Sequence, residues 1–145
     1  MKIDLQNSIA FKINKTANNI NSIINQILSE YDIAIEQRVA MEIIKNETDV
    51  TLTKIANILS KDKTTISRTL RTLEKKGFIN KIDSENDRRV NFVELTLKGE
   101  NTLKDSEEVV NNFRYDLISK MSENEIEIFF ELLGKVTTQL KTYNL

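Results

Sequence analysis

Apolar positions recur at spacings of three and four along most of this chain and alternate in only one short stretch. Ile9, Ile13, Ala17, Ile20, Ile24, Ile27 and Tyr31 mark one face of an amphipathic helix from about residue 7 to 30. Ile35 to Lys45 repeats the pattern with Val39, Ala40, Ile43 and Ile44, and Glu47, Thr48 and Asp49 break it. A short helix follows Thr51, with Ile55, Ala56 and Leu59 as its stripe. Ser60-Lys61-Asp62 then makes a turn, and Asp62 is a good N-cap for a fourth helix running to Lys76. Gly77 sits just past that helix, where a left-handed residue belongs. Ile79 to Asp83 and Arg89 to Leu95 are β-branched and aromatic around Ser84-Glu85-Asn86, which predicts a hairpin, although their alternation is imperfect. Helix returns from about Leu97, with Leu103, Val110, Phe113, Leu117 and Met121 on its apolar face. Ser122 and Glu125 form a capping box that opens a last helix carrying Ile126, Phe129, Phe130, Leu133, Val136 and Leu140 on one side.

Composition supports this mainly α reading with a small β-hairpin. Pro is absent and Gly occurs three times in 145 residues, which favours long uninterrupted helices. The length suits one domain, or two small lobes sharing a helical spine. There is no Cys, so disulfides, thiol redox sensing and thiolate metal sites are excluded. There is no His either, which removes the commonest metal ligand and the commonest general base. No cofactor and no metal is expected. No apolar run approaches the roughly 18 residues of a membrane span, and no signal-peptide core opens the chain, so a cytoplasmic protein without membrane contact is expected. Asn14, Asn18, Asn19, Asn21 and Asn25 read as the wet face of the first helix.

Charge changes the picture. Between Thr51 and Phe92, ten cations face five carboxylates, a net +5 in a chain whose total is −1, so the remainder carries −6. Four of the six arginines fall in this window. On a helix turning about 100° per residue, Ile66, Leu70 and Leu73 share one stripe. Thr64, Arg68, Arg71 and Lys75 share another, roughly 180° away, flanked by Thr65, Ser67, Thr69 and Thr72. A helix so arranged packs apolar side down and presents guanidiniums and hydroxyls to solvent. In a major groove its first turns read bases, which points to Thr64, Thr65 and Arg68, while Arg71, Lys75 and Lys76 suit phosphate. The competing reading is a solvated helix face. The hairpin favours nucleic acid, because Asp87-Arg88-Arg89 closes its loop, where a fingertip could follow a narrow A·T-rich minor groove. An adjacent carboxylate holds a guanidinium in a fixed orientation, although the same pair could simply close the hairpin as a surface salt bridge.

These residues resemble the MarR family of winged helix-turn-helix transcription regulators. The likeness lies in Ile55-Ala56-Asn57-Ile58-Leu59, Asp62-Lys63-Thr64-Thr65-Ile66-Ser67-Arg68 and Leu73-Glu74-Lys75-Lys76-Gly77-Phe78-Ile79. Asp87-Arg88-Arg89, Leu95-Thr96 and Lys98-Gly99 extend it. The resemblance implies a single domain over 1–145, with a winged helix-turn-helix lobe at 35–96 flanked by dimerisation helices at 1–34 and 97–145. It implies a homodimer on a pseudo-palindromic double-stranded DNA operator, acting as a repressor relieved by a small-molecule effector. The DNA-binding set would be Lys63, Thr64, Thr65, Ser67, Arg68, Arg71, Lys75, Asp87, Arg88 and Arg89, with Arg89 in the minor groove and Asp87 orienting it. Family members that sense peroxide through Cys or bind zinc through His are not matched here. A small aromatic or phenolic ligand remains, in a cleft that Phe11, Lys15, Arg38 and Met41 would line, or those four serve core packing and surface charge.

The terminal segments fit a dimer independently. Ile3, Leu5 and Ile9, with the stripe of the last helix, offer more apolar surface than two short lobes can cover, although packing of first helix on last would use some of it. A winged-helix protein-interaction module is the rival class, but it has no need of outward Arg68 and Arg71 with a wing-tip Arg89. An enzyme would need paired carboxylates or a buried Lys, and the acidic positions fall on solvent faces, so no catalytic residue is assigned.

Overall fold

Ser8 opens the first long helix: its hydroxyl accepts the Phe11 N–H at 3.3 Å, and α1 runs Ile9–Leu28. The computed structural model describes residues 1–86 and 90–143, which form two compact units, Met1–Val109 and Val110–Leu145.

In the first unit α1 is followed by a 3-10 turn, Ser29–Tyr31, and by α2, Ile35–Asn46. Asp32 between them takes a left-handed conformation, which Asp tolerates better than most residues. The Gln37 side chain accepts the Ala34 N–H at 3.1 Å, satisfying one donor ahead of α2. Helix α3, Leu52–Leu59, is capped by the Thr51 hydroxyl, and α4, Lys63–Lys75, by Asp62. The turn between them needs a left-handed residue at Ser60, and the Lys61 N–H reaches back to the Ala56 carbonyl at 3.0 Å. Gly77, at φ +77°, ends α4 as its sequence position predicts.

The hairpin pairs β1, Ile79–Asp83, antiparallel with β2, Asn91–Leu95, in the register Ile79 to Leu95. β2 therefore starts later than the Arg89 expected from sequence, and Arg89 lies outside the described residues. Its imperfect alternation has a plain basis: only Ile79 of β1 is buried, and Ile82 is exposed. The Val93 N–H donates to the Val50 carbonyl at 2.9 Å, fastening β2 to the segment that leads into α3. Ile24, Leu28, Met41, Ile55, Ile66, Leu70, Leu73 and Phe78 are all buried, so α1 to α4 and the hairpin root share one core. Burial of such side chains contributes about 1.5–3 kcal/mol each, which is why short α3 holds in place.

The long helix expected after Leu97 is two helices, α5 Leu97–Asp105 and α6 Glu107–Ile118. The break falls at Ser106, which is fully buried; its hydroxyl donates to the Thr102 carbonyl at 2.7 Å and accepts from Arg38 Nε at 2.9 Å. A hydroxyl that bonds a carbonyl one turn back competes with the helix ladder, and a buried guanidinium holds it there.

The second unit comprises the rest of α6 and α7, Glu123–Leu140. Its capping box is complete: Ser122 N–H donates to Glu125 Oε2 at 2.8 Å, and Glu125 N–H donates to Ser122 Oγ at 3.2 Å. No residue of α7 is fully buried, and Ile128, Phe129, Phe130, Leu132 and Leu140 are exposed. No helix among the described residues is long and apolar enough to cross a membrane.

Candidate nucleic-acid interface

The candidate reading helix is α4. Its inward stripe, Ile66, Leu70 and Leu73, is buried, so the helix cannot rotate without exposing three large side chains. That fixes the opposite stripe: Thr64, Arg68, Arg71 and Lys75 are all exposed, with Lys63 exposed beside them. Within the described residues none of the four cations makes a side-chain hydrogen bond or ion pair, so their donors face solvent. Guanidiniums held out on a rigid helix match phosphate oxygens and guanine edges bidentately.

The flanks differ from the stripe. Thr65 and Ser67 are half-buried, on opposite edges. Thr65 donates its hydroxyl hydrogen to Asp62 Oδ2 at 2.8 Å, and its backbone N–H donates to Asp62 Oδ1 at 2.8 Å. Both bonds favour the charged carboxylate, the backbone donor most, and hold Asp62 below the ordinary aspartate value of 3.8. Thr69 and Thr72 turn their hydroxyls onto the carbonyls of Thr65 and Arg68, at 3.2 and 3.1 Å.

Three cations of the basic window point elsewhere. Lys76 donates to the Asp32 carbonyl at 2.7 Å and to Gln37 Oε1 at 3.2 Å, with the Asp32 carboxylate 3.4 Å away. It ties the end of α4 to the start of α2 rather than facing phosphate. Lys54 pairs with Glu47 at 3.3 Å, and Lys81 with Glu74 at 3.5 Å. Asp87, Arg88 and Arg89 lie outside the described residues.

The four residues suggested for an effector cleft do not form one accessible surface. Met41 and Arg38 are buried, Phe11 is half-buried and Lys15 is exposed. Arg38 is 3% exposed and engaged on every side: Nε on Ser106 Oγ, a second nitrogen on Glu42, and a third on the Leu103 carbonyl at 3.3 Å. A cavity of about 180 Å³ does border the reading helix, lined by Ile35, Val39, Leu59, Ile66, Thr65 and Lys61 among others.

Thr96, Lys98 and Gly99, which follow the wing, hold the end of α4. The Thr96 hydroxyl donates to the Gly77 carbonyl at 2.6 Å and accepts the Gly99 N–H at 3.1 Å. Lys98 donates to the Lys76 carbonyl at 2.7 Å, with its ammonium 5.0 Å from the Phe78 ring centre. Gly99 lies so close to the Phe78 carbonyl that a Cβ would sit 2.2 Å from its oxygen. Together they clasp the turn that ends α4. The signal available beforehand was a Gly inside a predicted helix, which costs about 1 kcal/mol against Ala and therefore asks for a packing reason.

A helix pair joined by a tight turn, its second helix basic outward and followed by a two-stranded wing, defines a winged helix-turn-helix protein. The model of the MarR family matches residues 33–90. It is 26% identical over 147 residues to the HTH-type transcriptional regulator TcaR of Staphylococcus aureus (strain Newman), covering 97% of this chain and 95% of that protein. Its fold is that of a MarR/EmrR family transcriptional regulator from Acinetobacter sp. ADP1, with a TM-score of 0.90, 22% identity, and 97% and 100% of the two chains covered. A Staphylococcus aureus MepR–DNA complex is similar as well, with a TM-score of 0.84, 23% identity and coverage of 92% and 96%.

Proposed function

We propose that the protein is a sequence-specific, double-stranded DNA-binding transcription regulator that acts as a homodimer in the cytoplasm. The observation that carries this reading is the outward stripe of α4, whose Thr64, Arg68, Arg71 and Lys75 are exposed over a buried apolar face. The match of residues 33–90 to the MarR family model supports it, as do a TcaR relative described as a transcriptional regulator and a fold shared with a MepR–DNA complex. Arg68 with Thr64 and Thr65 reads base edges, Lys63, Arg71 and Lys75 hold phosphate, and Ser67 reaches out from the wing-side edge. Arg89, oriented by Asp87 and flanked by Arg88, enters the minor groove beside it. A second copy covers the exposed apolar face of α7 and sets two lobes on half-sites roughly 34–36 Å apart. Repression is the outcome of such a dimer lying over a promoter. A small aromatic or phenolic anion relieves it: the cavity of about 180 Å³ beside Thr65 holds one ring, and Lys61 at its rim supplies a cation.

Binding to palindromic duplexes across a salt series tests the function. A reader of Z phosphates shows log K falling against log salt with a slope of about −0.9Z. Arg71→Ala is expected to reduce that slope by about one while leaving base preference intact. Binding indifferent to salt, or equal on every sequence, would overturn the reading. Adding benzoate-type anions to the same titration tests relief.

A further inference from the structure

We propose that Asp62 determines which bases Thr65 can read, by consuming the only hydrogen its hydroxyl has to give. This deepens the DNA-reading function above and rests on it.

A threonine hydroxyl ordinarily gives no fixed answer at a base edge, because it can rotate to donate or to accept. In this chain the rotation is settled before DNA arrives. Thr65 Oγ1 donates to Asp62 Oδ2 at 2.8 Å, while the other carboxylate oxygen takes the Thr65 backbone N–H at the same distance. The carboxylate is thus held by two donors from one residue and cannot swing away without losing both. A charged acceptor outcompetes the neutral carbonyl or ring nitrogen of a base for the same hydrogen. What Thr65 then offers a groove is lone pairs alone. In the major groove lone pairs match the exocyclic amino groups, N6 of adenine and N4 of cytosine, and are repelled by O6 and N7 of guanine and O4 of thymine. Asp62 is therefore a positioning residue: it touches no base and fixes the polarity of a residue that does.

The arrangement separates two roles that one residue combines. Asp62→Asn keeps the helix cap, since Asn is as good an N-cap as Asp. With its oxygen on the Thr65 N–H, however, its amide nitrogen faces Thr65 Oγ1 and donates to it. The threonine hydrogen is released, and the same side chain now donates outward.

The experiment is competition binding with the full-length protein, using duplexes in which each half-site position is replaced in turn by the other three bases. Wild type and Thr65→Ser are expected to favour A or C over G or T at one position, by about threefold to tenfold, the size of one net hydrogen bond. Thr65→Val should lose the preference there and at no other position. Asp62→Asn should turn it towards G or T, with the remaining positions unchanged. An Asp62→Asn profile identical to wild type at every position would overturn the proposal while leaving DNA reading intact. If Asp62→Asn folds poorly, the Thr65→Ser and Thr65→Val pair decides, and equal profiles for the two overturn it. Wild type binding all duplexes alike would remove the DNA-reading function, and this proposal with it.

Discussion

Arg38 sits in the first unit with 3% of its surface exposed, and Glu42, one turn on, keeps 25%. Burying a guanidinium is costly, and its return depends on each of its nitrogens finding an acceptor. Here Ser106, Leu103 and Glu42 supply them, from positions in sequence up to 68 residues away. Arg38→Ala is expected to destabilise the protein by about 3 kcal/mol, at the lower end for breaking a buried pair because Glu42 retains some water. Urea unfolding measures it; a loss under about 1 kcal/mol would mean the network contributes little. Arg38→Met, apolar and similar in volume, should recover much of that loss. Legibility at this scale follows locality. Arg68 and Arg71 could be placed outward from sequence because the face of one helix is set by its own neighbours. Lys76 could not, because its partners Asp32 and Gln37 lie 44 and 39 positions away. The partners of Arg38 at Leu103 and Ser106 are equally remote in sequence, so the chain alone suggests a cation lining a cleft.

Among elements, α1 to α4 and α7 were legible because apolar spacing marks each of them, and at α4 and α7 the caps agree with it. Asp62, Gly77 and the Ser122–Glu125 box all stand where local chemistry requires. The division of α5 from α6 was not legible, since Leu103, Val110 and Phe113 keep one helical spacing straight through Ser106. A tertiary bond from Arg38 accompanies the break, and no periodicity records it. The clasp of α5 on the turn after α4 was equally hidden, and it gives a sharp expectation. Gly99→Ala places a methyl 2.2 Å from the Phe78 carbonyl oxygen, against backbone that cannot swing aside. It should cost about 1–3 kcal/mol, as overpacking does, read as a lower thermal midpoint. Gly134→Ala, whose Cβ would meet nothing within 4 Å, is the control and should be neutral or slightly stabilising. Equal midpoints for the two variants would show that α5 is free to shift.

At the scale of the molecule, the outstanding quantity is uncovered apolar surface. Phe129 and Phe130, with ring centres 6.5 Å apart, are both exposed, as are Ile128, Leu132 and Leu140 on the same helix. Contiguous apolar patches beyond a few hundred Å² are rare on monomers, and obligate dimers bury upward of about 2,000 Å². Replacing Phe129 and Phe130 with Glu should yield monomers at micromolar concentration in sedimentation. Affinity for a full palindrome should fall at least a hundredfold, towards that for a half-site, because the second lobe no longer binds as part of the same molecule. A variant that still sediments as a dimer would place the interface elsewhere.

The bond from Val93 N–H to the Val50 carbonyl, 2.9 Å long, closes a loop in the chain. Everything between those two residues, namely α3, the turn, α4, β1 and the start of β2, starts and finishes at one point in space. Such a stretch behaves as a cassette. Exchanged between two related proteins, it would carry both the residues proposed to read a sequence and the frame that aims them. Targets can then diverge through this one segment while the rest of the chain stays unchanged.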